Sequence, residues 1–211
     1  MPYFERLSAR SFRATASTGG AWNTAEQHIA PALGLLVHCV EVDRDMRRHD
    51  DLVIGRLSFD ILGTVPIGEV ETIVEVLRLG RTIELVQATL RHDGRTIVLL
   101  RAWLMRSANS RHLGHPCLPW PHHKKCPPGI PRRSGPAVTS RRSKYGATRS
   151  PPVARTTGVR TAQPLVEEAA SPLASLATLF DIANGMTMRM NPKQIAFPNV
   201  DLTVHLFSAT T

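Results

Sequence analysis

The chain has 211 residues, enough for one medium domain or two small ones, and a formal charge of +9 that invites a search for an anionic partner. That charge is local: residues 1–106 hold 13 Lys and Arg against 13 Asp and Glu, residues 107–166 hold 11 bases and no acid, and residues 167–211 hold two bases and four acids. The high pI therefore belongs to one segment, which excludes a fold that is basic throughout. The three cysteines, Cys39, Cys117 and Cys126, are odd in number and form no disulfide framework.

The opening residues lack the apolar core of a signal peptide. The longest apolar stretch, residues 29–42, is interrupted by His38 and Glu41 and is too short to cross a bilayer. A cytoplasmic protein with no membrane partner is the expectation.

Residues 3–16 read as extended chain, with Phe4, Leu7 and Phe12 as inward contacts. Thr18-Gly19-Gly20 breaks the chain, and residues 22–27 suit a short helical turn capped by Asn23, with Glu26 three residues on. A longer helix is predicted over residues 31–48, with Pro31 in its first turn. Its apolar residues go nearly all the way round, so other structure must wrap it. Gly34 within it costs helix stability, which points to a close backbone approach there.

Four strands are predicted next, over residues 52–62, 65–79, 82–91 and 96–105. They are rich in Ile, Val, Thr and Leu, and Asp93-Gly94 is a strong hairpin signal. Residues 1–106 thus read as strand, buried helix and a four-strand antiparallel meander.

Residues 107–166 change character. They hold 10 of the 16 prolines and four histidines, with no helical or strand period, a composition prone to disorder. His112, His115, Cys117, His122, His123 and Cys126 have metal-ligand chemistry, but on proline-rich chain without the two framed pairs of a zinc site. No metal and no cofactor are expected. With few interleaved aromatics and no surrounding nucleic-acid fold, specific nucleic-acid recognition is not expected either.

Beyond residue 166 pattern returns. Ser171-Pro172 is a helix start, residues 173–186 continue it, and residues 197–206 read as a strand.

A helix apolar all round, followed by strands enough to curl about it, describes the α+β hotdog fold. Thr18-Gly19-Gly20-Ala21-Trp22, then Leu35-Leu36-Val37-His38, then Arg56-Leu57-Ser58-Phe59-Asp60-Ile61-Leu62-Gly63, then Gly80-Arg81-Thr82 and Asp93-Gly94-Arg95, occur in an order that resembles the N-terminal hotdog of the double-hotdog acyl-CoA thioesterases. The resemblance divides the chain into a complete hotdog (1–106), a basic unstructured segment (107–166) and a partial second hotdog of one helix and one strand (167–211). The middle segment reads like translation of a GC-rich gene in a shifted frame; an inserted linker is the competing view.

For function, the resemblance implies hydrolysis of acyl-CoA to fatty acid and CoA. It carries a catalytic Asp onto Asp181 in Leu179-Phe180-Asp181-Ile182-Ala183. It places Asn199 where the family commonly has Thr. Asn can hold a water, but it is no base. The family's third group, a Gln late in the second sheet, falls past Thr211. Gly19 and Gly20 are candidate substrate contacts, leaving room for a ligand to approach the backbone. His28 and His38 are given no role. With part of the second sheet missing, Asp181 is expected to lack a rigid wall and turnover to be weak. The first module is expected to show an uncovered sheet edge and to form a homodimer through it. A non-catalytic remnant associating by that edge, and a basic nucleic-acid binder, are the alternatives.

Overall fold

The computed structural model describes residues 1–20, 23, 25–108, 161–182 and 198–206. The N-terminal stretch forms a hairpin of β1 (Phe4–Arg6) and β2 (Ser11–Ala14). Phe4 and Phe12 point into the core as expected, but Leu7 lies in the hairpin turn and is 41% exposed. Of residues 22–27, the described ones, 23 and 25–27, form no helix. The Asn23 side chain accepts from the Ala25 amide, and Glu26 and Gln27 then pair by isolated bridges with Pro66 and Gly19.

Helix α1 (Ile29–Arg47) starts two residues earlier than the proline suggested, because the His28 side chain serves as its N-cap. Every residue from Ala30 to Val40 is buried. Its last turn is tied down at a buried carboxylate: Glu84 is fully buried and accepts from Arg47 (2.9 Å) and Arg48.

The four long strands are β3 (Leu52–Ile61), β4 (Glu69–Arg78), β5 (Ile83–His92) and β6 (Arg95–Arg106). β4 starts four residues later than expected, since residues 65–67 are used to pair with residues 25–27. The β5–β6 turn is the predicted Asp93-Gly94, with φ of 47° and 75°. Two consecutive positive φ values are what a type I′ hairpin requires. The strands are not a simple meander. β4, β5 and β6 follow in order, but β3 lies beyond β6, far from β4, so the 62–68 connection crosses the end of the sheet.

That order, with the sheet curled about one buried helix, is the hotdog arrangement. It continues to seven antiparallel strands because the C-terminal segment joins the same sheet. β7 (Asp201–His205) pairs with β3 from Arg56↔His205 to Asp60↔Asp201. The short helix α2 (Pro172–Ala177), capped by Ser171 as expected, packs along α1. The β3 edge is thus covered from within the chain.

Chain 161–170 also belongs to the packed body. Leu165 and Val166 are buried, and the carbonyls of Pro164 and Leu165 accept from the amides of Tyr3 and Phe4 (both 2.9 Å). Residues 161–166, at the end of the basic segment, are thus tied to the N-terminal strand. The rest of the basic segment, with its His/Cys cluster, lies outside the described residues. No helix among the described residues is long and apolar enough to cross a membrane.

Candidate active site

Three segments distant in sequence meet at the N-terminus of α1. The first is its own cap. The His28 backbone amide donates to the Thr18 carbonyl (2.7 Å), and its ring Nδ1 accepts from the Ala30 amide (3.3 Å). Pro31 has no N–H and Ala30 is engaged by the ring, so among the first three helical residues the Ile29 amide remains to face a ligand.

The second segment follows α2. After Ala177 the chain winds on through turns, with amides of Leu179, Phe180 and Ile182 bonded to carbonyls three residues back. This carries Asp181 to the helix end. Its Oδ2 lies 3.6 Å from Nε2 of His28, and its side chain is 16% exposed.

The third segment leads into β7. Asn199 sits two residues before that strand and donates from Nδ2 to Oδ1 of Asp181. The pairing of β7 with β3 fixes this approach, with Ile61 N–H to Val200 O at 2.8 Å as its nearest rung.

Asp181 and Asn199, 18 residues apart, are thus in direct contact through Oδ1, while Oδ2 faces the His28 ring at 3.6 Å. Gly19 and Gly20 precede the cap, and of the site residues it is the His28 backbone that Gly20 approaches. Their amides are already used, by Ala16 O (3.2 Å) and Glu26 O (2.9 Å), so they offer a ligand no hydrogen bonds. A Cβ on Gly20 would sit 3.4 Å from the His28 nitrogen.

His28 is the residue that sequence reasoning passed over. The signal was its place, immediately ahead of Ile29-Ala30-Pro31, where a short acceptor side chain caps a helix. Burial pushes its pKa down, and the Asp181 charge only partly offsets this, so the imidazole is neutral near pH 7. His38, also given no role, is buried and bonded to Glu168 (3.2 Å), away from this cluster.

The arrangement combines a carboxylate bonded to an amide and facing an imidazole, a helix amide, and a helix dipole whose positive end favours developing negative charge. Such a set can orient a water and stabilise an oxyanion.

Comparison with known proteins agrees with the fold. Residues 18–105 match the family model described as the acyl-CoA thioesterase N-terminal domain, a span running from the first glycine turn to the end of β6. The first module has the hotdog fold and is similar to that domain over this span. No curated protein matches. Among solved structures, the chain is similar to a Novosphingobium aromaticivorans protein provisionally named a thioesterase (18% identity, 52% of this chain and 42% of that one, TM-score 0.38). It is also similar to a conserved hotdog-fold protein of unknown function from Alicyclobacillus acidocaldarius (13% identity, 60% and 43%, TM-score 0.41). A third is an acyl-CoA thioesterase II from Mycobacterium marinum (14% identity, 50% and 36%, TM-score 0.34). The chain spans well under two thirds of the length of these three proteins.

Proposed function

We propose that the chain is a thioester hydrolase acting on acyl-CoA. The observation that carries this is the convergence of Asp181, Asn199 and His28 at the N-terminal end of α1. Asp181 is the general base: it takes a proton from a water as that oxygen attacks the thioester carbonyl. Asn199 orients the carboxylate and the water. The carbonyl oxygen, negative as the C–O bond forms, is stabilised by the Ile29 amide and the dipole of α1. The C–S bond then breaks. The thiolate takes up the proton held by Asp181, and the acid and free CoA leave.

A homodimer built on the hotdog sheet is compatible with this reading, through β7 as the outer strand. Sequencing the coding DNA across the basic segment would decide between a shifted frame and an inserted linker.

The test is thiol release from medium- and long-chain acyl-CoA by wild type and by Asp181→Ala. A fall of about a hundredfold or more is expected, since losing a positioned general base commonly costs that much. Turnover untouched by the substitution would show that the base is another residue. A wild type without turnover would favour the non-catalytic remnant.

A further inference from the structure

The ring of His28 has two nitrogens with separate contacts, and each contact restricts the other. Nδ1 lies 3.3 Å from the Ala30 amide, which can only donate, so Nδ1 must be the acceptor. In a neutral imidazole the single proton then resides on Nε2. Nε2 is the atom that faces Asp181, 3.6 Å from Oδ2. That separation is just past hydrogen-bond length, but it brings a positive N–H edge against a carboxylate that is largely removed from water. The other carboxylate oxygen, Oδ1, is taken by Asn199.

We propose that His28 is a positioning residue for Asp181: by capping α1 through Nδ1 it is locked in the Nε2–H tautomer, which steers the carboxylate toward the helix end. The proposal rests on the hydrolase reading and adds a residue to it. The geometry has a consequence that packing alone would not require. The group that completes the helix cap also holds the base, so the carboxylate and the helix dipole are fixed relative to each other by one rigid ring. An Asn199–Asp181 pair alone would fix the base only to β7 and leave its distance from the Ile29 amide free. The Thr18 carbonyl holds the His28 backbone amide in place, so the ring pivots about a fixed point.

Other partners of the ring do not compete. Asp181 is the charged group acting on it, and its own flanks contribute the amides and carbonyls already described. Removing that charge should leave burial alone to act on the imidazole.

The experiment uses the full chain and three variants. Heteronuclear imidazole spectra of the wild type should show the neutral Nε2–H form, and Asp181→Asn should lower the His28 pKa further while keeping that tautomer. His28→Asn retains an acceptor for the Ala30 amide, so its melting temperature should stay close to wild type. Its kcat for acyl-CoA hydrolysis should nonetheless fall about tenfold to a hundredfold with little change in KM, the mark of a misplaced base. His28→Ala should lose both cap and rate.

An Nδ1–H tautomer, a His28 titration unmoved by Asp181→Asn, or an unchanged kcat in His28→Asn would each overturn the proposal. The two readings fail differently. A wild type with no thioesterase activity but with ring and carboxylate coupled in the spectra would sink the hydrolase and with it the positioning role. Full activity with an uncoupled ring would sink the role of His28 alone.

Discussion

Gly34 shows how one missing atom can set the distance between two helices. It lies mid-helix, where glycine costs about 1 kcal/mol relative to alanine, so Gly34→Ala on an isolated helix would stabilise. Here a Cβ would come within 2.5 Å of the Thr178 methyl, 2.9 Å of the Ala174 carbonyl and 3.2 Å of the Thr178 amide. Two of those three are backbone atoms, which cannot turn aside. The overlap must push α2 and the chain after it off α1, and Asp181 lies three residues beyond Thr178. We expect Gly34→Ala to destabilise by about 1–3 kcal/mol, the usual range for overpacking, with the sign opposite to helix propensity. Chemical denaturation measures the first effect. Thiol release, expected to fall out of proportion to stability, measures the second. A stabilised variant would show that the two helices are not in this contact.

At the scale of elements, the piece that has to be held is 161–170, which brings α2 to α1. Its anchor is Glu168. Arg6 of β1 donates to it from Nε (2.7 Å), and His38 of α1 lies 3.2 Å away. Burial pushes the Glu168 carboxyl up, but the hydrogen bonds from Arg6 and His38 outweigh it and leave its pKa below the ordinary value. A carboxylate depressed on folding stabilises fully above its unfolded pKa, about 4.3, and that contribution is lost as pH falls through the folded value. The amides of Tyr3 and Phe4, bonded to Pro164 and Leu165, report on this docking directly. Their protection from hydrogen exchange, corrected for intrinsic rates, should drop below pH 4, and should already be reduced at pH 7 in Glu168→Gln. Equal protection in the variant would mean that Leu165 and Val166 hold the segment by burial alone.

Nothing in the sequence pointed to this anchor, since Arg6 and Glu168 are 162 residues apart. What was legible was what repeats or terminates locally. The all-round apolar α1, the Asp93-Gly94 turn and the Ser171 cap each follow from a few adjacent residues. Strand order did not, because alternation of Ile and Val reports which face is buried and not which strand is the neighbour. β3 was therefore set beside β4 when it pairs with β6. For the site, Asp181 and Asn199 came from family resemblance, whereas His28 escaped because a helix-capping histidine has no periodicity to betray it.

Across the whole molecule, the decisive pairing is β7 on β3. An uncovered β3 would be a template for a second chain, the usual hazard of an unpaired edge. β7 is only five residues long, and it shields β3 through a ladder whose phase can be worked out. Ile61 N–H bonds Val200 O, and Leu206 N–H bonds Gly55 O (2.9 Å). In an antiparallel pair hydrogen-bonded and non-hydrogen-bonded positions alternate, so Leu202 opposite Phe59 and Val204 opposite Leu57 direct their amides to β3, and Thr203 directs its amide away. Proline distinguishes these positions because it removes the N–H and is tolerated only where that N–H faces off the sheet. Val204→Pro should therefore strip a ladder bond and uncover β3, where Thr203→Pro should leave the ladder bonded. If β7 is the cover, sedimentation of Val204→Pro at micromolar concentration should shift towards dimers and larger species relative to both wild type and Thr203→Pro. The same variant should lose thiol release as well, since Asn199 reaches Asp181 only through the strand it precedes. Identical sedimentation of the two proline variants would mean that β7 does not guard the edge and that assembly is governed elsewhere on the sheet.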